Sequence, residues 1–299
     1  MLSLILPNKN ESHIFEFLKD LERKIKEDKE IIIVDKSEEE FYKRLEAYIK
    51  EMHNVRLIRQ EDKGYENALY LGFKSAKGDI IAVIDPDGTY RVEDLIRVID
   101  TLKSSNYSLV LGNRLAYKDK AMPAHISFGN IFLTKTFNCL YKQDIKDALS
   151  GLFAFKRDAL RYLTLRKPER GGTLYFLIQL ARRGLRIGSI DIKYLEREGS
   201  SRISKFKIGY GILIFYNVIR YVRDYKPLAL FGSIGLISLL IGLYYAIVVL
   251  ISYIHTGSLV IPGRAILAIG LIISGLFFII AGLILDLLIE IERYIIEKD

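Results

Sequence analysis

Two carboxylates, Asp85 and Asp87, stand one residue apart in the stretch DIIAVIDPDGTY, residues 79–90. An apolar run ends abruptly on them, as a buried strand ends at the rim of a sheet. Acids in this spacing serve two chemistries. Side by side, they offer hard oxygens to a divalent cation, Mg²⁺ or Mn²⁺. Alternatively, the first attacks phosphorus as a nucleophile and the second acts as acid/base. Pro86 between them fixes φ and removes an N–H donor, which stiffens the turn that aims both side chains outward. Thr89 follows, so a hydroxyl stands close by in sequence.

An alternation of strands and helices positions these acids. LSLILP, EIIIVD, VRLIRQ, DIIAVID and SLVLGNR read as strands. Helices are expected over about 11–28, 38–52, 64–77 and 92–105, the first with Phe15, Leu18, Leu21 and Ile25 on one face. This order predicts an α/β fold, a Rossmann-like, mostly parallel sheet with helices on both faces. Runs such as IIIV, which do not alternate, fit strands buried on both sides. Ligands of such sheets bind beyond the carboxyl ends of the strands. Pro7–Glu11, Asp35 and Asp85–Asp87 all fall at such ends, so three polar sites from separate parts of the sequence converge. Further on, residues 121–141 are amphipathic and aromatic, ALSGLFAFKR is strand-like, a helix is expected near 173–183, and LRIGSIDIKYLER reads as a strand.

The chain has 299 residues, and its apolar excess lies after residue 227. Leu228–Ile254 is 27 residues without a charge and Ala265–Leu285 is 21; crossing a bilayer takes about 20. The connector HTGSLVIPGR is short, so a transmembrane hairpin is expected, with Asp286 and the tail EIERYIIEKD ending its second span. Tyr244 and Tyr245 are expected to pack between the helices. Of the net charge of +8, +5 lies between Arg197 and Lys226, where seven Lys and Arg face two acids. A basic block before a span suits anionic headgroups and marks that side as cytoplasmic. Within it, residues 204–226 fit an interfacial helix lying on the membrane, and equally a core helix. The expected organisation is a catalytic domain over 1–203, a juxtamembrane helix over 204–226, the hairpin over 227–287 and a charged tail over 288–299. In a cell membrane, the catalytic domain and both termini would face the cytoplasm. With Cys139 as the single cysteine, an intramolecular disulfide and a cysteine-rich zinc site are excluded. Basic residues gathered beside membrane spans argue against nucleic-acid binding.

IIAVIDPDGT resembles the nucleophile motif of haloacid-dehalogenase-like phosphatases. That chemistry needs a downstream lysine and later acids for Mg²⁺. After Asp87 there is no D-D and no G-D-x-x-x-D, and SLVLGNR ends in Gly-Asn-Arg. That motif also normally opens its domain, whereas three strand–helix units precede it here. A second resemblance accounts for more of the chain. It rests on P7-N-K-N-E11, I-I-I-V-D35, the run from Asp62 to Asp79, D85-P-D87, G112-N-R114, D147-A-L-S-G151 and E196-R-E-G-S-S-R202. In that order they are similar to the GT-A domain of family 2 glycosyltransferases. With the hairpin they resemble polyprenyl-phosphate sugar synthases of the dolichol-phosphate mannose and undecaprenyl-phosphate glucose type.

The resemblance implies metal-dependent, inverting transfer of a sugar from a nucleoside-diphosphate sugar, GDP- or UDP-linked, to a polyprenyl phosphate. Asp85 and Asp87 would hold Mg²⁺ or Mn²⁺, which offsets the charge developing on the departing diphosphate. Pro7, Asn10, Glu11, Asp35, Lys63 and Asp85 would form the nucleotide-sugar site, with Glu11 and Asp35 accepting hydrogen bonds from ribose and base. Glu11 also suits a helix N-terminus, and Asp35 a cap or surface loop. A lipid phosphate is already ionised, so the acceptor needs no strong base. Arginines grip phosphates bidentately, and Arg114, Arg197 and Arg202 match the family's phosphate ligands, with Ser127 as a hydroxyl contact. Asp147 matches the acid of the D-x-x-S-G motif near the reacting centre, as a positioning residue or a weak base.

The chain departs from the family pattern in four places. Asp35-Lys36 replaces the usual Asp-Asp, and Thr89 stands where many relatives carry Gln. No acid lies between Gly171 and Gly184. No arginine closely precedes Ser127, where His125 or Lys120 would have to substitute. Among alternatives, processive polysaccharide synthases carry Q-x-x-R-W, and this chain has no Trp. A non-catalytic scaffold would not need both acids and three arginines. A two-span hairpin also invites packing between subunits in a homo-oligomer.

Overall fold

The computed structural model describes residues 1–62, 64–117, 122, 124–163, 172–196, 223, 226–258 and 262–298. The chain divides into two compact units, Met1–Gly211 and Ile212–Asp299. Lys63, Arg197, Arg202 and nearly all of the expected juxtamembrane helix lie outside the described residues.

The first unit alternates as its sequence requires: β1 (Leu2–Asn8), α1 (Ile14–Lys24), β2 (Lys29–Asp35), α2 (Glu39–Ile49), β3 (Val55–Arg59), α3 (Tyr65–Ser75), β4 (Ile80–Val83), α4 (Val92–Ser104) and β5 (Leu109–Asn113). Then come α5 (Ala124–Tyr141), β6 (Phe153–Lys156), a 3₁₀ turn (Arg157–Tyr162), α6 (Gly172–Arg182) and β7 (Ile187–Asp191). The strands form one sheet in the order β3-β2-β1-β4-β6-β5-β7. Leu4, Ile5 and Leu6 of β1 and Ile31, Ile32 and Ile33 of β2 are all fully buried, because helices cover both faces of the sheet. Ile14, Phe17, Leu18 and Leu21, spaced at three and four, turn the buried face of α1 onto it.

Two features of the topology set the site. The chain steps outward from β1 through β2 to β3, then returns to the other side of β1 as β4. The carboxyl ends of β1 and β4 therefore flank the switch point, where such sheets bind ligands. The other feature is β6, which runs antiparallel between β4 and β5, with Phe153 opposite both Val83 and Leu111. Its amino end thus lies beside their carboxyl ends, and the turn before it, residues 147–152, reaches the same rim. The expected strand over 79–85 ends at Val83, so the acids stand on a turn beyond the ladder.

The second unit is a helical hairpin, α7 (Pro227–Thr256) and α8 (Pro262–Lys298). Only 11% and 17% of their most apolar 18-residue windows are buried. A soluble core helix would hide most of that surface; these two are long and apolar enough to cross a membrane. The helices meet at small residues. A Cβ on Gly235 would stand 2.6 Å from the Gly275 carbonyl oxygen, and one on Gly275 would stand 2.8 Å from that of Gly235. Ser238 Oγ donates to the Leu271 carbonyl at 2.9 Å within the same interface. Tyr244 is 64% exposed, with its ring edge-on against Tyr245. The charged tail after Asp286 continues as helix to Lys298.

Candidate active site

A cleft of about 370 Å³ opens over the carboxyl ends of β1 and β4, lined by Pro7, Asn8, Lys9, Glu11, Lys36, Gln60, Gly64, Tyr65, Ala68, Asp85, Pro86 and Asp87. Of the expected nucleotide-sugar residues, Pro7, Glu11 and Asp85 line it. Asn10 and Asp35 do not line it, and Asn10 is exposed. Asn10 adopts φ +55°, a left-handed conformation that Asn tolerates. Its backbone N–H donates to Ser37 Oγ at 2.6 Å, and its side-chain oxygen accepts the Glu38 N–H at 3.0 Å. Asp35 is fully buried. It accepts from Asn8 Nδ2 at 2.6 Å, Ser37 Oγ at 2.6 Å and the Ser37 N–H at 3.0 Å, and Arg59 lies 3.6 Å away. These bonds stitch the loop after β1 to the loop after β2.

Asp85 and Asp87 are half-buried on the cleft wall. Thr89 Oγ1 donates to Asp87 Oδ1 at 2.5 Å, and the Thr89 N–H reaches the same oxygen at 3.2 Å. The hydroxyl beside the acids thus orients Asp87. Asp85 is fixed from behind. A Cβ on Gly151 would stand 2.3 Å from Asp85 Oδ2, so only glycine lets the 147–152 turn pack there. The Gly151 N–H donates to Tyr90 Oη at 2.8 Å. The Tyr65 hydroxyl is buried beside Asp85 without a well-formed hydrogen bond, and burial, then the Asp85 charge, raise its pKa well above the ordinary phenol value.

No group of three or more His, Cys, Asp or Glu converges as a metal cage among the described residues. Two carboxylates on an open wall still fit a hard cation that takes its remaining ligands from a diphosphate and water.

The second arm lies at the ends of β5 and β6. Arg114 follows Asn113, the last residue of β5, and Asp147 opens the turn into β6. Arg114 Nε donates to Asp147 Oδ2 at 2.7 Å and Nη2 to Oδ1 at 3.0 Å. The Arg114 N–H, Asn130 Nδ2 and the Leu149 N–H complete five bonds to that carboxylate, at 3.1, 2.6 and 3.1 Å. Burial opposes ionising Asp147, but the Arg114 charge and these hydrogen bonds hold its pKa below the usual carboxylate value. Burial likewise opposes charging Arg114, and Asp147 more than offsets it. The guanidinium also stacks over Tyr194, 5.5 Å from the ring centre. Ser127 lies on α5, one turn before Asn130.

Sequence reasoning missed Asn8, Gln60, Tyr65, Tyr90, Tyr194 and Asn130. Asn8 and Tyr65 had a signal, since they lie inside the motifs Pro7–Glu11 and Asp62–Asp79, and so did Tyr90, three residues after Asp87, and Gln60, at the end of the strand VRLIRQ. Tyr194 had none, because only the sheet order brings it to the rim.

Residues 3–164 match the protein family described as Glycosyl transferase family 2. The chain is 28% identical over 214 residues to "Glycosyltransferase AglJ" of Haloferax volcanii, covering 71% of this chain and 70% of that one. It is 27% identical over 212 residues to a "Dolichyl-phosphate hexose transferase" of the same organism, covering 71% and 90%. Among solved structures, it is similar to glucosyl-3-phosphoglycerate synthase from Mycobacterium tuberculosis in complex with Mn²⁺, uridine diphosphate and glucosyl-3-phosphoglycerate. The TM-score is 0.54 at 19% identity, covering 73% of this chain and 79% of that one.

Proposed function

The chain belongs to glycosyl transferase family 2, and from that premise we propose that it moves one sugar from a nucleoside-diphosphate sugar to a polyprenyl phosphate at a membrane. The observation that carries this reading is one rim that joins a cleft walled by Asp85 and Asp87 to a largely buried, carboxylate-locked arginine. Two anions must meet there, and the rim supplies a distinct partner for each. A relative named for dolichyl phosphate and two helices of bilayer length support a lipid acceptor. So do the apolar side chains exposed on α5, Phe128, Ile131 and Phe132.

The donor's base and ribose occupy the cleft between Pro7, Glu11 and Gln60, with Lys63 contributing from the segment before α3. Its diphosphate lies against Asp85 and Asp87. Asp85 and Asp87 would hold a divalent ion, Mg²⁺ or Mn²⁺, whose charge would offset that of the leaving diphosphate. Arg114, with Arg197, Arg202 and the Ser127 hydroxyl, holds the acceptor phosphate. Its ionised oxygen attacks the anomeric carbon from the face opposite the diphosphate. The new C–O bond forms as the old one breaks, the nucleoside diphosphate departs, and the configuration inverts. Asp147 serves as a positioning residue for Arg114. With its oxygens occupied by five donors and its pKa lowered, it is a poor base, and an ionised acceptor has no proton to give.

Membranes bearing the chain, given labelled GDP- and UDP-sugars and polyprenyl phosphate, are expected to form a lipid-linked sugar monophosphate. EDTA should abolish the product, and Asp87→Ala should reduce turnover by about 10³-fold or more. Absence of lipid-linked product with every donor would sink the assignment. Full turnover by Asp87→Ala would sink the metal site alone.

A further inference from the structure

The buried face of α5 carries two polar side chains in an otherwise apolar setting. Leu133 and Phe137 are core residues, and Asn130 and Thr134 beside them are 1% and 4% exposed. Burying an amide and a hydroxyl is unfavourable unless both find partners, and here the partners form a chain. Asn130 Nδ2 donates to Asp147 Oδ1 at 2.6 Å. Thr134 Oγ1 donates to Asn130 Oδ1 at 3.1 Å and accepts the Ala148 N–H at 3.0 Å. A helical threonine commonly turns its hydroxyl onto the carbonyl one turn back, as Thr136 does to Phe132 at 2.9 Å. Thr134 instead fixes which way the Asn130 amide faces. With its oxygen taken by Thr134, Asn130 presents its nitrogen to the carboxylate that grips Arg114.

We propose that Asn130 and Thr134 form a latch that positions Arg114 for the acceptor phosphate, acting through Asp147. Neither residue lines the donor cleft. The latch joins α5 to the turn before β6 at two consecutive residues, Asp147 and Ala148, so a shift of α5 relative to the sheet changes the aim of Arg114. This inference rests on the proposed lipid-phosphate acceptor and deepens it, because acceptor affinity then becomes separable from donor affinity.

The test compares Thr134→Val with Thr134→Ser in the full chain, measuring KM for polyprenyl phosphate and for nucleotide-sugar separately. Valine keeps the volume and loses the hydroxyl; serine keeps the hydroxyl and loses a methyl. The latch predicts that Thr134→Val raises the acceptor KM by about tenfold with the donor KM unchanged, and that Thr134→Ser restores it to within about twofold. Asn130→Leu should repeat the valine result. The reverse order, serine worse than valine, would make Thr134 a packing residue and overturn the latch. So would an acceptor KM and a donor KM that rise together. A wild-type chain that forms no lipid-linked sugar removes the proposed function, and this inference with it. Wild-type turnover with an unmoved acceptor KM in Thr134→Val removes the latch alone.

Discussion

The two arms of the site use the same residue type in opposite ways. Asp85 and Asp87 are half-buried on the wall of an open cleft, on a turn outside the strand ladder. Asp147 is fully buried, lies off that wall, and accepts five hydrogen bonds. All three are acids at the carboxyl-end rim of one sheet. What separates them is whether their oxygens face a cleft or the interior. Under the proposed function, the first arm receives a charged ligand, and the second, assembled in advance, aims a cation that would otherwise be unfavourable to bury.

The largest effect expected from this contrast is on stability. Asp147→Asn keeps the shape and removes the charge, leaving the Arg114 guanidinium buried and unpaired, which should cost roughly 3–5 kcal/mol. Urea unfolding of the detergent-solubilised chain checks this through a lower midpoint. Asp87→Asn, on an open wall, should change stability by within about 0.5 kcal/mol. Equal losses in the two variants would erase the contrast. The pH dependence follows from the sign of the shift. The Arg114 charge and the hydrogen bonds to Asp147 outweigh burial and lower its pKa on folding below the ordinary carboxylate value, so its contribution is complete above the unfolded value. It is lost as pH falls through the lower folded value. Asp147→Asn should therefore flatten that part of the acid-unfolding curve.

Gly151 joins the two arms, and its substitution tests whether they are independent. An added Cβ would stand 2.3 Å from Asp85 Oδ2 and 3.1 Å from Tyr90 Oη, so Asp85 or the turn must shift. Misplacing a reacting group by about 1 Å can lower a rate about 10²-fold. Gly151→Ala should thus lower kcat by roughly 30- to 100-fold, while overpacking destabilises the fold by only about 1–3 kcal/mol. An unchanged kcat would show that Asp85 is not placed by the turn before β6.

The contrast also marks what the sequence could reveal. Period and order made the parallel core legible, and a strand read up to Asp85 brought both acids to the rim. β6 was legible as strand-like, but its antiparallel direction was not. A four-residue strand carries no directional signal, and direction is what brings Asp147 back to Arg114. Quoting Asp147 from its motif left two roles open, because a carboxylate's partners are long-range: Arg114 lies 33 positions away and Asn130 lies 17. Asn130 and Thr134 did leave a trace, as polar residues four apart in the apolar run FGNIFLTKTF. The same limit explains Asn10 and Asp35. Their motif places them at the nucleotide rim, but their hydrogen bonds to neighbouring loops, which no spacing reports, bury Asp35 and hold the exposed Asn10 off the cleft lining.

The smallest expected effect sharpens the open arm from within. Thr89 is 2% exposed, and its hydroxyl and N–H both donate to Asp87 Oδ1. Its carbonyl accepts the Leu195 N–H at 2.9 Å, which ties the turn to the segment after β7. Thr89→Val preserves volume and both backbone bonds but removes the hydroxyl. Asp87 then keeps the Thr89 N–H as a donor to that oxygen and gains rotational freedom. A hydrogen bond to a charged group contributes about 1.5–3 kcal/mol at most, and a half-exposed carboxylate recovers part of that from water. The apparent affinity for Mn²⁺ in the transfer assay should therefore fall by only about three- to tenfold, with kcat at saturating metal near that of the wild type. A loss as large as that of Asp87→Ala would mean that the hydroxyl is itself a ligand. No change would mean that the hydroxyl does not orient the acid.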